Sequence, residues 1–324
     1  MLTVLLATVL LTAGCGAPRI KLYPSQTDPL NEYTLQGEVE PKVLFVPLRG
    51  QISEAPREEL IRTRPSLVQE VVSHLRKAEG DEDIRAVVFK IDSPGGSVTA
   101  SDILYNEIKS FKERTGKKVV VAMMGVAASG AYYISLPADI IVAHPTTVTG
   151  SVGVIFLRPK VVGLMDKIGL EVDVNKSGAN KDIGSPFRPA TEEEEAILQD
   201  LTDRLGRRFL DLVRDHRRLT PEALGQVETA RIFLADEALR LGLVDRVGYV
   251  DDAVAEARKL AGLPPNAKVI VYRRTEFPDD NFYNTATFKR GGRDVSLISV
   301  NLPDLPAELS AGFYYLWQPG WNED

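Results

Sequence analysis

The chain has 324 residues, 44% hydrophobic and 26% charged, with a formal net charge of −6 at pH 7. That length and apolar content support a large folded body with a sizeable core. The acidic balance argues against a general nucleic-acid binder. A single cysteine excludes an internal disulfide framework and a cysteine-built zinc site. The three histidines, His74, His144 and His216, lie far apart with no H-E-x-x-H pattern, so no metal and no other cofactor is expected.

Residues 2–14, LTVLLATVLLTAG, are uncharged and apolar and run directly into Cys15. The length suits the apolar core of a signal peptide and is short for a membrane span. The stretch T-A-G-C at 12–15 resembles a bacterial lipobox, with two departures. Thr12 stands where Leu is usual, and no Lys or Arg precedes the apolar run. On this reading residues 1–14 are a signal peptide, Cys15 is the lipidation site, and residues 15–40, rich in Pro and polar side chains, are a tether. The body is then membrane-associated in a bacterial cell envelope, outside the cytoplasm. An ordinary cleaved signal peptide or a short anchor is the alternative.

The body is expected from about Lys42. Strands are expected over Val43–Leu48, Ala86–Asp92, Lys118–Met124, Asp139–Ala143 and Leu170–Val174, from runs of β-branched and apolar residues. Apolar residues at helical spacing predict helices over Arg57–Lys77, Val98–Arg114, Glu192–Leu219, Phe233–Val244 and Val250–Leu260. Thr191 is the expected cap of the long helix, ahead of the acidic run Glu192–Glu195. Alternating strands and helices imply an α/β fold around a largely buried sheet. Phe313–Trp317, FYYLW, reads as a final edge strand or packed tail, with an oligomer or membrane contact as the functional alternative.

Ser129 lies where an apolar strand gives way to G-A-Y-Y-I-S-L, a short helix, between Ala128 and Gly130, which are too small to cover a hydroxyl. Backbone N–H groups at such a junction can hold a developing negative charge. Small-residue packing is the plainer explanation of this stretch taken alone. Three further stretches accompany it: Ser93–Ser97 (SPGGS), Thr149–Val154 (TGSVGV) and the polar segment Lys176–Arg188 (KSGANKDIGSPFR).

The order and spacing of these four motifs resemble the signal peptide peptidase A family, from about Lys42 to about Arg274, with K-D-x-x-S-P intact. The resemblance implies an α/β fold related to Clp protease and crotonase, a repeated ββα core with long helices in the C-terminal half. It implies a serine endopeptidase with Ser129 as nucleophile, Lys181 as general base and Ser151 orienting the lysine. The backbone N–H groups of Gly96 and Gly130 would form the oxyanion hole. Ser93, Pro94 and Gly95 would line the substrate groove. The implied substrates are remnant signal peptides and other extended apolar peptides. The implied assembly is a homo-oligomer that can share its sites between subunits. Residues 41–274 would be the peptidase domain and 275–324 a C-terminal extension. Ala131 stands where the family often has Gly.

A lysine base has a physical rationale of its own. A serine hydroxyl needs a neighbour to take its proton, and no histidine is well placed by sequence. A lysine acts only when neutral, and a free pKa near 10.4 leaves about one molecule in 2,500 neutral at pH 7. Burial against apolar groups brings it to about 7–8, which corresponds to about 4 kcal/mol of disfavoured charge. The expectation is a desolvated Lys181 with a hydroxyl partner and with Asp182 turned away. Lys176 is the competing base, and Ser97, Ser101 and Ser177 read as caps or turns. A catalytically silent peptide-binding or scaffold relative, or a crotonase-type acyl-CoA enzyme, are the alternative functions; the export signal opposes the latter.

Overall fold

The structure, a computed structural model, describes residues 28–59, 62–284 and 312–317. Cys15, the apolar run before it, and most of the expected tether and C-terminal extension lie outside these residues. In chain order the elements are β1 (Asn31–Gln36), β2 (Val39–Arg49), a hairpin of β3 (Arg57–Glu59) and β4 (Arg62–Arg64), α1 (Leu67–Glu79), β5 (Ile84–Ser93), β6 (Gly95–Ser97), α2 (Val98–Thr115), β7 (Lys118–Ala128) and α3 (Gly130–Ser135). Then follow β8 (Ile140–Ala143), β9 (Val148–Gly150), β10 (Ile155–Leu157), α4 (Val162–Ile168), α5 (Glu192–His216), α6 (Pro221–Val227), β11 (Ile232–Leu234), α7 (Ala235–Arg240), β12 (Arg246–Val247), α8 (Val250–Leu260), β13 (Ala267–Arg273) and β14 (Gly312–Leu316).

Nine strands form one mixed sheet. Its main path runs β1-β13-β2-β5-β7-β8-β12, and β9 pairs with both β7 and β11. The inner strands are parallel, so their sequences are apolar on both faces. Val87, Phe89 and Ile91 of β5 pack on one side with α1, α2, α3 and Phe209 and Val213 of α5. Ala86 and Val88 pack on the other side with Val250, Ala253, Val254 and Ala257 of α8. Each such large side chain contributes roughly 1.5–3 kcal/mol by burial. No described helix is long and apolar enough to cross a membrane.

Local chemistry accounts for where sequence and structure part. The helix expected from Arg57 starts at Leu67, because Pro65 disfavours helix before it and Ser66 caps the new start, accepting from the Gln69 N–H at 3.1 Å. Phe233 belongs to β11, and its helix starts only at Ala235. Leu170–Val174 forms no strand. Its alternating apolar residues Leu170, Val172 and Val174 are about half exposed and find no partner strand among the described residues. The segment FYYLW is no edge: β14 is the middle strand of a second sheet, β10-β14-β6.

Candidate active site

β7 carries the chain to Ser129, and its end is fixed from both sides. Its pairing with β5 shifts register between Ile91 and Ser93, where the Asp92 Oδ1 accepts from the Val126 N–H at 3.2 Å. On the other side the Thr147 and Thr149 hydroxyls donate to the Met124 and Ala127 carbonyls, each at 2.6 Å. Ser129 then turns through φ 54°, ψ −118°, before α3 begins. A non-glycine residue holds such a conformation only where its surroundings impose it, at about 1–3 kcal/mol. The side chain is buried, and its Oγ has no hydrogen-bond partner among the described residues.

β6 lies beside it. The buried Ser93 Oγ accepts from the Gly95 N–H at 3.1 Å. Ile52 holds one edge of β6, donating to the Gly95 carbonyl at 2.8 Å and accepting from the Ser97 N–H at 3.0 Å. β14 holds the other, with Tyr315 paired to Gly96 and the Trp317 N–H donating to the Pro94 carbonyl at 2.9 Å. Glycine is required for this crowding. A Cβ on Gly96 would lie 1.8 Å from the Ile52 carbonyl oxygen, and one on Gly95 would lie 2.1 Å from that of Tyr315. A Cβ on Gly130 would lie 3.0 Å from the same Tyr315 oxygen. Thus Gly95 and Gly130, the latter next in chain to Ser129, close on one peptide carbonyl, that of Tyr315, while Gly96 closes on that of Ile52.

Ser151 follows β9 as Ser129 follows β7. Ala128 and Gly150 are paired, and the Ser129 N–H donates to the Gly150 carbonyl at 2.8 Å. Ser97 caps α2, accepting from the Ala100 N–H, and the Ser101 hydroxyl donates to the Ser97 carbonyl.

Lys181 stands apart. It lies in a turn after residue 176, with an exposed side chain, so the desolvated pocket expected for it is not formed among the described residues. Asp182 is turned to other partners. Arg188 donates to both its oxygens at 2.8 Å and Lys176 to one at 2.7 Å. Those bonds, from Arg188 first, hold the Asp182 carboxyl well below the usual carboxylate range. Arg188 and the Thr191 N–H bring the Glu194 carboxyl to about 2. The competing base Lys176 is therefore committed to an ion pair. The histidines are engaged elsewhere: His216 with the Tyr105 hydroxyl, His144 with Thr146, and buried His74 beside Glu70.

Sequence reasoning missed Ile52 and Tyr315. The apolar cluster F-Y-Y-L-W read as an edge strand or packed tail, and nothing local named its partners.

The model of peptidase family S49 matches residues 112–264, which include Ser129, Ser151 and Lys181. The Clp protease model matches residues 62–145. A protein of Enterococcus faecium named "Putative signal peptide peptidase SppA" is 30% identical over 253 residues, 78% of this chain and 73% of that one. The chain belongs to peptidase family S49. A second relative of this S49 chain, a protein of Methanocaldococcus jannaschii named as a "Putative protease", is 37% identical over 201 residues. That match spans 62% of this chain and 64% of the relative's length. Among solved structures, a ClpP1 mutant from Listeria monocytogenes aligns over 65% of this chain and 94% of that chain, at 20% identity and a TM-score of 0.42.

Proposed function

We propose that this S49 chain is a serine endopeptidase of the cell envelope that cuts extended peptides, remnant signal peptides among them, with a dyad of Ser129 and Lys181. The observation that carries the reading is Ser129 itself, a buried, unpartnered hydroxyl on a strained strand-to-helix turn, beside a glycine strand that already pairs with an extended segment. Ser129 Oγ attacks the peptide carbonyl carbon as the Lys181 amine takes its proton. The oxyanion is held by the Gly96 and Gly130 N–H groups. The C–N bond breaks as the lysine returns the proton to the leaving amine, and water then hydrolyses the ester. Ser151, one strand over, orients the amine. Ser93, Pro94 and Gly95 line the groove.

The lysine is supplied on assembly. Leu164, Ile168, Leu170, Val172, Val174 and Phe187 are all exposed in a single chain. An apolar run of this extent marks a surface that a partner covers. A homo-oligomer that buries it would carry the Lys181 turn of one subunit into a dry setting at a neighbour's Ser129. In this reading residues 41–274 are the peptidase domain, 275–324 the extension that returns to the groove, and lipidated Cys15 the membrane tether.

The test is peptide hydrolysis by the chain lacking residues 1–15, unchanged and with Ser129→Ala or Lys181→Ala. Both variants are expected to lose activity, and a mixture of the two to regain it. Activity surviving either substitution sinks the dyad. A second reading, a peptide-binding relative without catalysis, draws support from the exposed Lys181 and predicts a folded, oligomeric and inactive parent.

A further inference from the structure

We propose that Asp92 is a positioning residue for Ser129: its carboxylate, with the Thr147 hydroxyl opposite, clasps a bulge in β7 that aims the strand end carrying Ser129. The inference rests on the peptidase reading for the role of Ser129 and on the sheet for its geometry. Ile91 pairs with Met123 and Ser93 with Ala127, so Asp92 alone on β5 faces Met124, Gly125 and Val126 on β7. On the other side Met123 pairs with Ala143 of β8, and pairing resumes only at Val126, with Val148 of β9. β7 therefore slips against β5 and changes its other neighbour within the same few residues. A bulge bends its strand and re-aims the side chains beyond it.

Side chains replace the ladder bonds that the bulge interrupts. The Asp92 carbonyl faces β2, accepting from the Gly50 N–H at 3.0 Å. It is the carboxylate that meets β7, with Oδ1 accepting from the Val126 N–H at 3.2 Å. Such a charge-assisted bond is stronger than a neutral one, and an asparagine would keep the acceptor without the charge. Gly125 stands beside it, where a Cβ would lie 3.3 Å from the same oxygen. Across the strand the buried Thr147 hydroxyl is shared between the Met123 and Met124 carbonyls, at 3.1 and 2.6 Å. From Val126 the pairing with β9 runs unbroken through Ala127 and Ala128 to the Ser129 turn. The register held by the clasp is thus the register at which the hydroxyl meets a substrate. Asp92 acts only through the Val126 N–H. Without that acceptor the N–H is unmet and the strand end can shift, and a displacement of about 1 Å at a reacting atom costs about 100-fold in rate.

The test compares the full chain with Asp92→Ala, Asp92→Asn and Arg49→Ala, Arg49 being an exposed side chain 3.7 Å from the other Asp92 oxygen. Peptide hydrolysis gives kcat and KM, and hydrogen exchange is followed over residues 124–129. Asp92→Ala is expected to lower kcat about 100-fold with KM within about twofold, and to speed exchange. Asp92→Asn should recover kcat to within about fivefold of the parent and restore slow exchange. Arg49→Ala should stay within about twofold, since an exposed ion pair contributes little. An unchanged kcat in Asp92→Ala, a loss carried by KM alone, or an Asp92→Asn variant as impaired as Asp92→Ala overturns the proposal. Should Asp92→Ala not fold, Thr147→Val removes the opposite half of the clasp, with kcat expected about tenfold lower at unchanged KM; an unchanged kcat there overturns the proposal too. If the parent hydrolyses no peptide, exchange alone decides. Faster exchange in Asp92→Ala that Asp92→Asn reverses leaves the clasp standing and overturns the peptidase reading, and unchanged exchange overturns the clasp.

Discussion

Ser129 and Ser151 leave adjacent parallel strands one residue after the paired positions Ala128 and Gly150, and both turn through positive φ, 54° and 51°. Two neighbouring strand ends thus each present a serine at positive φ, joined by the Ser129 N–H to the Gly150 carbonyl. In the proposed mechanism one hydroxyl reacts and the other holds what activates it, each at the end of a paired strand.

The strain at Ser129 should be measurable. Ser129→Ala removes a buried hydroxyl with no described partner and is expected to stabilise the fold by about 1 kcal/mol. Ser129→Gly also relaxes the positive φ and should match or exceed that gain. Peptide hydrolysis should fall by about 10³-fold or more in both. Urea unfolding alongside the assay checks the pair, and a loss of stability in the glycine variant would contradict the strained turn.

Gly96→Ala should be far more damaging than its size suggests. Its Cβ would overlap the Ile52 carbonyl, which forces β6 off its bridge and moves the N–H proposed for the oxyanion. Destabilisation of at least about 2 kcal/mol is expected, with hydrolysis lost. The urea midpoint and kcat give the two readouts.

Arg188 should act on the lysine from a distance. It ties Asp182 to Glu194 and so anchors the Lys181 turn at the start of α5. Arg188→Ala is expected to lower kcat by about tenfold with little change in melting temperature. Lys176→Ala, which removes a single partner of Asp182, should change kcat less than threefold. A larger loss in the Lys176 variant would make that lysine the better base.

Acid should weaken the fold through Glu70. Burial opposes its charge, but the His74 ring 3.4 Å away and the hydrogen bond from Arg274 prevail and lower its pKa. A carboxylate depressed in the folded state contributes stability that is complete above its unfolded pKa, about 4.3. The contribution is lost as pH falls through the lower folded value. Urea midpoints measured from pH 6 down to pH 3 should therefore fall, and Glu70→Gln should flatten that dependence while lowering the plateau.

Legibility in the sequence followed the range of the forces involved. The parallel core of β5 and β7 and the helices α2, α5 and α8 were readable because local periodicity and burial agree there. The turn at Ser129 was readable because strand, small residues and helix adjoin in the chain. Leu170–Val174 misled because alternation records which side chains want cover, and no strand among the described residues supplies it. Tyr315 was invisible as a site residue because its meaning comes from Gly96 and Leu205, which the sequence places far away.

The order of synthesis gives β14 a further significance. β6 and β10 are made well before it, yet it pairs with both. A growing chain therefore carries two open strand edges facing a gap one strand wide until residues 312–316 emerge. Closing loops of that length is slow compared with forming the parallel core. Throughout that interval the cleft beside Ser129 is open to any extended segment nearby, and the strand that finally fills it is a later segment of the same chain.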